Sequence, residues 1–219
     1  PLNSFWCCYG TAVESFSKLA DSIYFNQPAD GSVIISRYVS SYLRSANLSL
    51  TQTSTLPTNE SATITVDAVK GELAIKLLIP KWAAHPTVAV NGAAQPGVTA
   101  GTLFTLSRAW SVGDKISLTL PRAVTLTKID DNRLQYGSTY SFVYGDTLLV
   151  GIDHDASPSN QLQIPHSSDL DDWVAKSVTR QDGDRLRFLA RGVGRQVELM
   201  PLNEVVAEVY TVYYNLTAA

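Results

Sequence analysis

From Ser61 onward the chain alternates between polar and apolar residues. Ala62, Ile64, Val66 and Ala68 fall on one side of an extended strand, and Ser61, Thr63, Thr65 and Asp67 on the other. Lys70-Gly71 follows as a turn pair, and Leu73, Ile75, Leu77 and Ile79 resume the alternation. This predicts a hairpin lying on a core with its Thr-rich face in water. Further strands are expected from Thr87 to Val90, ending at the turn pair Asn91-Gly92, from Leu103 to Leu106, and from Lys115 to Leu120 after Gly113-Asp114. Val124 to Ile129, Tyr140 to Tyr144 and Thr147 to Ile152 carry the pattern on, and Arg185 to Ala190, Gln196 to Met200 and Glu208 to Tyr214 close it. Asp153 to Asp172 reads as a long polar loop. Short strands at such spacing predict an all-β sandwich, and the absence of a fixed repeat excludes solenoids and propellers.

Only the N-terminal stretch has a helical period. Val13, Phe16, Leu19, Ala20 and Ile23 form one apolar stripe, with Ser15, Ser17, Lys18 and Asp21 opposite. Thr11 and Glu14 have the spacing of a capping box, which predicts a helix starting there. After Phe25 the helical period is lost. Asn26-Gln27-Pro28-Ala29-Asp30-Gly31 is a cluster of turn formers and is expected to mark a boundary. The fold class is therefore mainly β, one or more sandwich domains preceded by a helix.

The 219 residues are 45% hydrophobic and 17% charged, with a net charge of -3, enough to bury one or two cores. No apolar run reaches the roughly 18 residues of a membrane span, and Lys and Arg are scattered, so neither a membrane nor a nucleic acid is expected as a partner. The chain begins at Pro1 and its one methionine is Met200, which reads as a fragment of a longer protein. Asn47-Leu-Ser, Asn59-Glu-Ser and Asn215-Leu-Thr are N-glycosylation sequons of the kind secreted proteins carry, although a chain this rich in Ser and Thr holds about two such triplets by chance.

Chemistry concentrates at Cys7 and Cys8, the only cysteines, set side by side ahead of the expected helix. A thiol near a helix N-terminus loses its proton more readily, and the thiolate is the better nucleophile and metal ligand. Free cysteine is also commonly a small buried hydrophobe. A bridge between neighbours would be strained, and two thiols fall short of the roughly four ligands of structural zinc. Asp153-His154-Asp155 with His166 could pose as a metal cluster, but such residues in a Pro- and Ser-containing stretch more often form a solvated loop. His85 before Pro86 reads as a turn residue, and Asp130-Asp131, Asp169, Asp171 and Asp172 as acids pointing into water. Trp82 and Trp110 suit either a sugar-stacking platform or, more commonly, core packing.

The run from Ser4-Phe5-Trp6-Cys7-Cys8-Tyr9-Gly10 through Tyr24-Phe25 resembles the end of the catalytic barrel of glycoside hydrolase family 127, the β-L-arabinofuranosidase-like proteins. Later stretches resemble the same family. These are Ile79-Pro80-Lys81-Trp82 with Val90-Asn91-Gly92 and Arg108-Ala109-Trp110-Ser111-Val112-Gly113-Asp114, then Tyr144-Gly145-Asp146-Thr147-Leu148-Leu149-Val150-Gly151, then Pro201-Leu202-Asn203-Glu204 leading to Tyr210-Thr211-Val212-Tyr213-Tyr214-Asn215. Ala12 and Ala20 stand where the family pattern has glycine, and Asp146 where proline is usual.

The resemblance implies a barrel end at 1–26, the last helix of an (α/α)6 barrel, then a β-sandwich at 27–122 and a C-terminal β region at 123–219. It further implies that Cys7 is the nucleophile and that Cys7 and Cys8 bind Zn2+ with a cysteine and a glutamate from the upstream barrel domain of the parent chain. The substrate would be a carbohydrate. The acid/base glutamate would also lie upstream, and Glu14, the carboxylate nearest Cys7, is accounted for by its spacing from Thr11. The alternative is a non-catalytic sandwich module that binds glycan or braces a barrel, with both cysteines simply buried.

Overall fold

A computed structural model describes residues 6–18, 20–153, 159–166 and 169–219, and of Trp6–Tyr9 the helical backbone. The chain forms two compact units, one of Pro1–Leu56, Glu60–Lys81 and His85–Leu120, the other of Pro57–Asn59, Trp82–Ala84 and Pro121–Ala219.

The first unit holds helix α1 (Trp6–Ser17) and ten strands: β1 (Tyr24–Gln27), β2 (Ser32–Ile35), β3 (Ser41–Arg44), β4 (Leu48–Ser54), β5 (Ser61–Val69), β6 (Glu72–Leu78), β7 (Thr87–Val90), β8 (Ala93–Ala94), β9 (Leu103–Ala109) and β10 (Lys115–Thr119). They make a four-stranded sheet in the order β1-β2-β6-β9 and a six-stranded sheet in the order β3-β4-β5-β10-β7-β8. Each sheet has one dry face. Val33, Ile35, Ile75, Leu77 and Leu106 line the first, and Leu48, Leu50, Ile64, Val66, Val88, Val90, Ile116 and Leu118 the second, all buried. This is sandwich architecture, in which strand alternation places every second residue inside. Each fully buried Leu or Ile contributes about 1.5–3 kcal/mol to that assembly.

The expected hairpin at Lys70-Gly71 does not form. β5 pairs with β4 and β10, whereas β6 pairs with β2 and β9, so the chain changes sheets at this turn. Two consecutive amphipathic strands satisfy the same alternation whether they share a sheet or face each other across a core, and the turn residues do not distinguish the two. The Asn91-Gly92 turn does form as expected. Both residues have positive φ, 51° and 82°, and Val90 pairs with Ala93 across them.

Residues 26–31 make the end of β1 and the turn into β2, with Asn26 facing Val33 and Gln27 facing Ser32. The turn is locked by charge. Lys76 Nζ donates to Asp30 Oδ2 and Gln27 Oε1, each at 2.7 Å, and Ser32 donates to Asp30 through both its N–H and its hydroxyl. The bond from Lys76, followed by those from Ser32, holds the Asp30 carboxyl far below the usual carboxylate range.

The second unit is built on β11 (Val124–Lys128), β12 (Thr139–Tyr144), β13 (Thr147–Asp153), β14 (Gln161–Ile164), helix α2 (Leu170–Ser177), β15 (Val178–Arg180), β16 (Phe188–Arg191), β17 (Gln196–Pro201), β18 (Val209–Thr211) and β19 (Tyr214–Ala218). The strands form one sheet in the order β14-β19-β12-β13-β17-β16-β15, with β11 added to β12 and β18 to β13. Every pairing is antiparallel except β14 with β19.

The stretch from Asp153 to Asp172, expected to be a loop, contains β14 and the start of α2. Its signals are short: the alternation Gln161-Leu162-Gln163-Ile164 lasts four residues, and Leu170, Trp173 and Val174 give α2 a single apolar contact patch. Trp173 and Val174 join a core with Phe142, Tyr144, Phe188 and Tyr214. Phe142 meets Tyr214 edge-on at 5.7 Å, and Trp173 Nε1 donates to the Arg191 carbonyl at 3.2 Å.

Candidate functional site

Cys7 and Cys8 lie in the first turn of α1, which starts at Trp6, so the cysteines are within the helix and not ahead of it. Their side chains lie outside the described residues. The first four N–H groups of a helix have no partner within it and give that end partial positive charge. No acidic residue stands in this first turn to oppose a thiolate there.

The capping box is overturned. Thr11 sits in mid-helix, where its carbonyl accepts from the Ser15 hydroxyl at 2.9 Å, and the Ser17 hydroxyl donates to the Glu14 carbonyl at 2.7 Å. Serine hydroxyls turned back onto the preceding turn compete with helix propagation, and the helix ends at Ser17. Val13 and Phe16 are 70% and 76% exposed, while Ile23 lies beyond the helix and is buried. Leu19 lies outside the described residues.

The other candidate groups resolve into structural contacts. His154 and Asp155 lie outside the described residues, His166 is exposed, and Asp153 pairs with Arg195 at 3.3 Å and accepts from the Ser159 N–H at 3.2 Å. Among the described residues no three His, Cys, Asp or Glu side chains are grouped to hold a metal ion. His85 is an exposed turn residue with φ 52°. Asp131 is gripped by Arg133 at 2.6 Å, which lowers its pKa, and Asp130 is exposed. Asp169 caps α2 by accepting from the N–H groups of Asp171 and Asp172 at 2.9 and 3.3 Å, and both of those acids stand in the first turn, where the helix dipole favours them.

Both tryptophans are engaged in contacts of the fold. Trp110 is 6% exposed and donates from Nε1 to the Leu73 carbonyl at 3.1 Å. Trp82 is stacked under the Arg122 guanidinium, 4.1 Å from the ring centroid. The Arg122 side chain is only 4% exposed. Its Nη1 donates to Asp146 Oδ1 at 2.7 Å and Thr147 Oγ1 at 3.3 Å, and its guanidinium stands 5.9 Å from the Tyr144 ring. This cluster was not legible in the sequence, where Arg122 is one arginine among scattered basic residues. The single hint was Asp146, an acid where the resembled family has proline, and its carboxylate pairs with the buried guanidinium.

Residues 32–122 match the family model described as "Beta-L-arabinofuranosidase, GH127 middle domain". No curated protein sequence matches the chain. Among solved structures, one titled "Glycoside hydrolase" superposes with a TM-score of 0.76 at 16% identity, covering 98% of this chain and 40% of that one. A GH127 beta-L-arabinofuranosidase from Geobacillus Stearothermophilus T6 gives 0.73 at 16% identity, covering 96% of this chain and 37% of that one. The GH127 beta-arabinofuranosidase BT3674 gives 0.67 at 13% identity, covering 90% and 37%. At these identities the agreement is one of fold, and this chain spans about two fifths of the length of the first of them. The segment from Ser32 to Arg122 is thus similar to a GH127 middle domain, and the chain shares its fold with solved GH127 structures.

Proposed function

We propose that the chain is the C-terminal portion of a zinc-dependent, retaining glycoside hydrolase that acts on β-L-arabinofuranosides or related glycans, with Cys7 as nucleophile and Cys7 and Cys8 as two of the zinc ligands. The observation that carries this reading is the adjacent thiol pair in the first turn of α1, a short distance ahead of a GH127 middle domain.

The donor set fits the metal in kind. Thiolates are ligands zinc favours, and two of the roughly four it needs are here. The described residues supply no further cluster, so the rest would come from upstream, a cysteine and a glutamate by the resemblance. When bound, zinc supplies the charge that keeps sulfur deprotonated at neutral pH.

The remaining roles belong to the protein. Cys7 Sγ attacks the anomeric carbon from one face of the sugar while a carboxylic acid on the other face protonates the departing oxygen, which is the logic of retention. The helix N-terminus stabilises the attacking thiolate. Glu14 is not that acid. It stands two turns beyond Cys7, about 10 Å of helical rise, against the roughly 5–5.5 Å between the two groups of a retaining pair.

The isolated chain is expected to be folded and catalytically silent, because the acid/base and the other ligands lie elsewhere. A glycan-binding module resting on Trp82 and Trp110 is disfavoured by their surroundings, since one is buried and the other lies under Arg122. The test is iodoacetamide labelling of the full-length parent with and without a zinc chelator, together with the Cys7→Ser variant. Labelling of Cys7 that rises on chelation, with turnover abolished in the folded variant, supports the enzyme reading. Inert thiols, or full turnover in Cys7→Ser, overturn it in favour of a module that braces a barrel.

A further inference from the structure

We propose that Asn47 and Asn59 are N-glycan attachment sites and that the third sequon, at Asn215, stays unmodified. All three triplets satisfy the sequon pattern, and the fold separates them.

Asn47 is exposed at the third position of the Ser45–Leu48 turn between β3 and β4. That turn is closed by its own bonds, Ser45 N–H to the Leu48 carbonyl at 2.9 Å and Leu48 N–H to Ser45 Oγ at 3.1 Å, and the Asn47 carbonyl accepts from the Lys70 N–H at 2.9 Å. The backbone is thus held without the Asn47 carboxamide, which has no hydrogen-bond partner among the described residues. Asn59 is exposed in the loop between β4 and β5, again with no partner for its carboxamide among the described residues. A glycan on either amide would break no side-chain hydrogen bond among the described residues.

Asn215 differs on every count. It lies in β19, between β12 and β14, facing Thr139 on one side and Gln161 on the other. Its Nδ2 donates to Gln161 Oε1 at 3.0 Å, and its N–H to the Asn160 carbonyl at 2.7 Å. Glycosylation of Nδ2 would break the side-chain bond and set a bulky polar group on a strand inside a sheet. A surface loop is where an attached glycan is tolerated.

The donor is an oligosaccharide carried on a lipid diphosphate. Nδ2 forms a bond to the anomeric carbon, the bond from that carbon to the diphosphate oxygen breaks, the lipid diphosphate leaves with the electron pair, and one amide proton passes to base. The hydroxyls two residues on, Ser49 and Ser61, complete the recognised triplets.

The experiment is site mapping on the full-length protein purified from its own organism. Amidase release of N-glycans in heavy-oxygen water converts each occupied asparagine to labelled aspartate, read by peptide mass spectrometry. Label at Asn47 and Asn59 and none at Asn215 is the expected result. Unlabelled asparagine at Asn47 or Asn59, or label at Asn215, overturns the assignment. In secretory expression, Asn47→Gln and Asn59→Gln should each remove one glycan increment from the intact mass, and Asn215→Gln none. Any other pattern of increments counts against the proposal.

Discussion

Gly151 sits in the middle of β13, facing Leu199 on β17 and Thr211 on β18, and a single methyl group there tests the packing of the C-terminal core. A Cβ on Gly151 would fall within the Tyr214 hydroxyl and 2.7 Å from both Tyr214 Cζ and Val197 Cγ1. The backbone φ is not in the left-handed region, so the penalty for Gly151→Ala is steric alone. Tyr214 cannot easily yield. It is fully buried, its ring is held edge-on to Phe142, and burial pushes its phenol up to about 12. Overpacking a core costs about 1–3 kcal/mol, and with two obstructing side chains the upper end is expected, about 3 kcal/mol. At about 4–8 °C per kcal/mol for a domain of 60–100 residues, that lowers the melting transition of this unit by roughly 12–24 °C. Near-ultraviolet circular dichroism on heating reads it directly. Tyr214→Phe alone should cost about 1 kcal/mol for the lost hydrogen bond between its hydroxyl and the Thr211 side chain, but in the Gly151→Ala background it should recover stability because it removes the obstructing oxygen. A coupling above about 1 kcal/mol is therefore expected. Additive losses, or a Gly151→Ala protein within about 0.5 kcal/mol of the parent, would refute this account.

Asp30→Asn should flatten the acid limb of stability. The folded-state pKa of Asp30 is depressed, so its contribution is present above the unfolded carboxylate pKa and lost as pH falls toward the folded value, and the variant's urea midpoint should change less between neutral pH and strong acid than the parent's. Asp169→Ala removes the cap of α2 and should cost about 1 kcal/mol, measured as a shift in urea midpoint with an unchanged slope. Arg122→Lys should destabilise by about 1 kcal/mol despite keeping the charge, because an ammonium cannot lie flat on Trp82 while bonding Asp146. Equal urea midpoints for Arg122→Lys and the parent would show that the guanidinium plane is irrelevant.

Strands were the most legible part of the molecule. A period of two survives any arrangement of sheets, so β5, β6, β7, β10 and β13 stand where alternation predicted them. The Asn91-Gly92 turn was legible because its geometry depends on positive φ at two adjacent residues that tolerate it. The helix was read less well. Thr11 and Glu14 have capping spacing, yet α1 begins five residues earlier and ends at Ser17, and Ile23 lies beyond it. α2 escaped notice because eight residues with one apolar patch make too short a periodic signal, and its three aspartates read as solvated acids until one proved to be the cap.

Sequence alone determined which residues turn inward along β5 and β6, where the Asn91-Gly92 turn falls, and that the chemically distinctive thiols are adjacent near the start of the chain. All of these depend on neighbours a few positions apart, where backbone geometry leaves little choice. Only the tertiary structure decided that β5 and β6 belong to different sheets, that Arg122 lies over Trp82 and pairs with Asp146, and that one of three sequons is tied into a sheet. Those outcomes depend on which distant segment supplies the missing partner for an apolar face, a buried charge or a free amide, and local pattern carries no record of that partner.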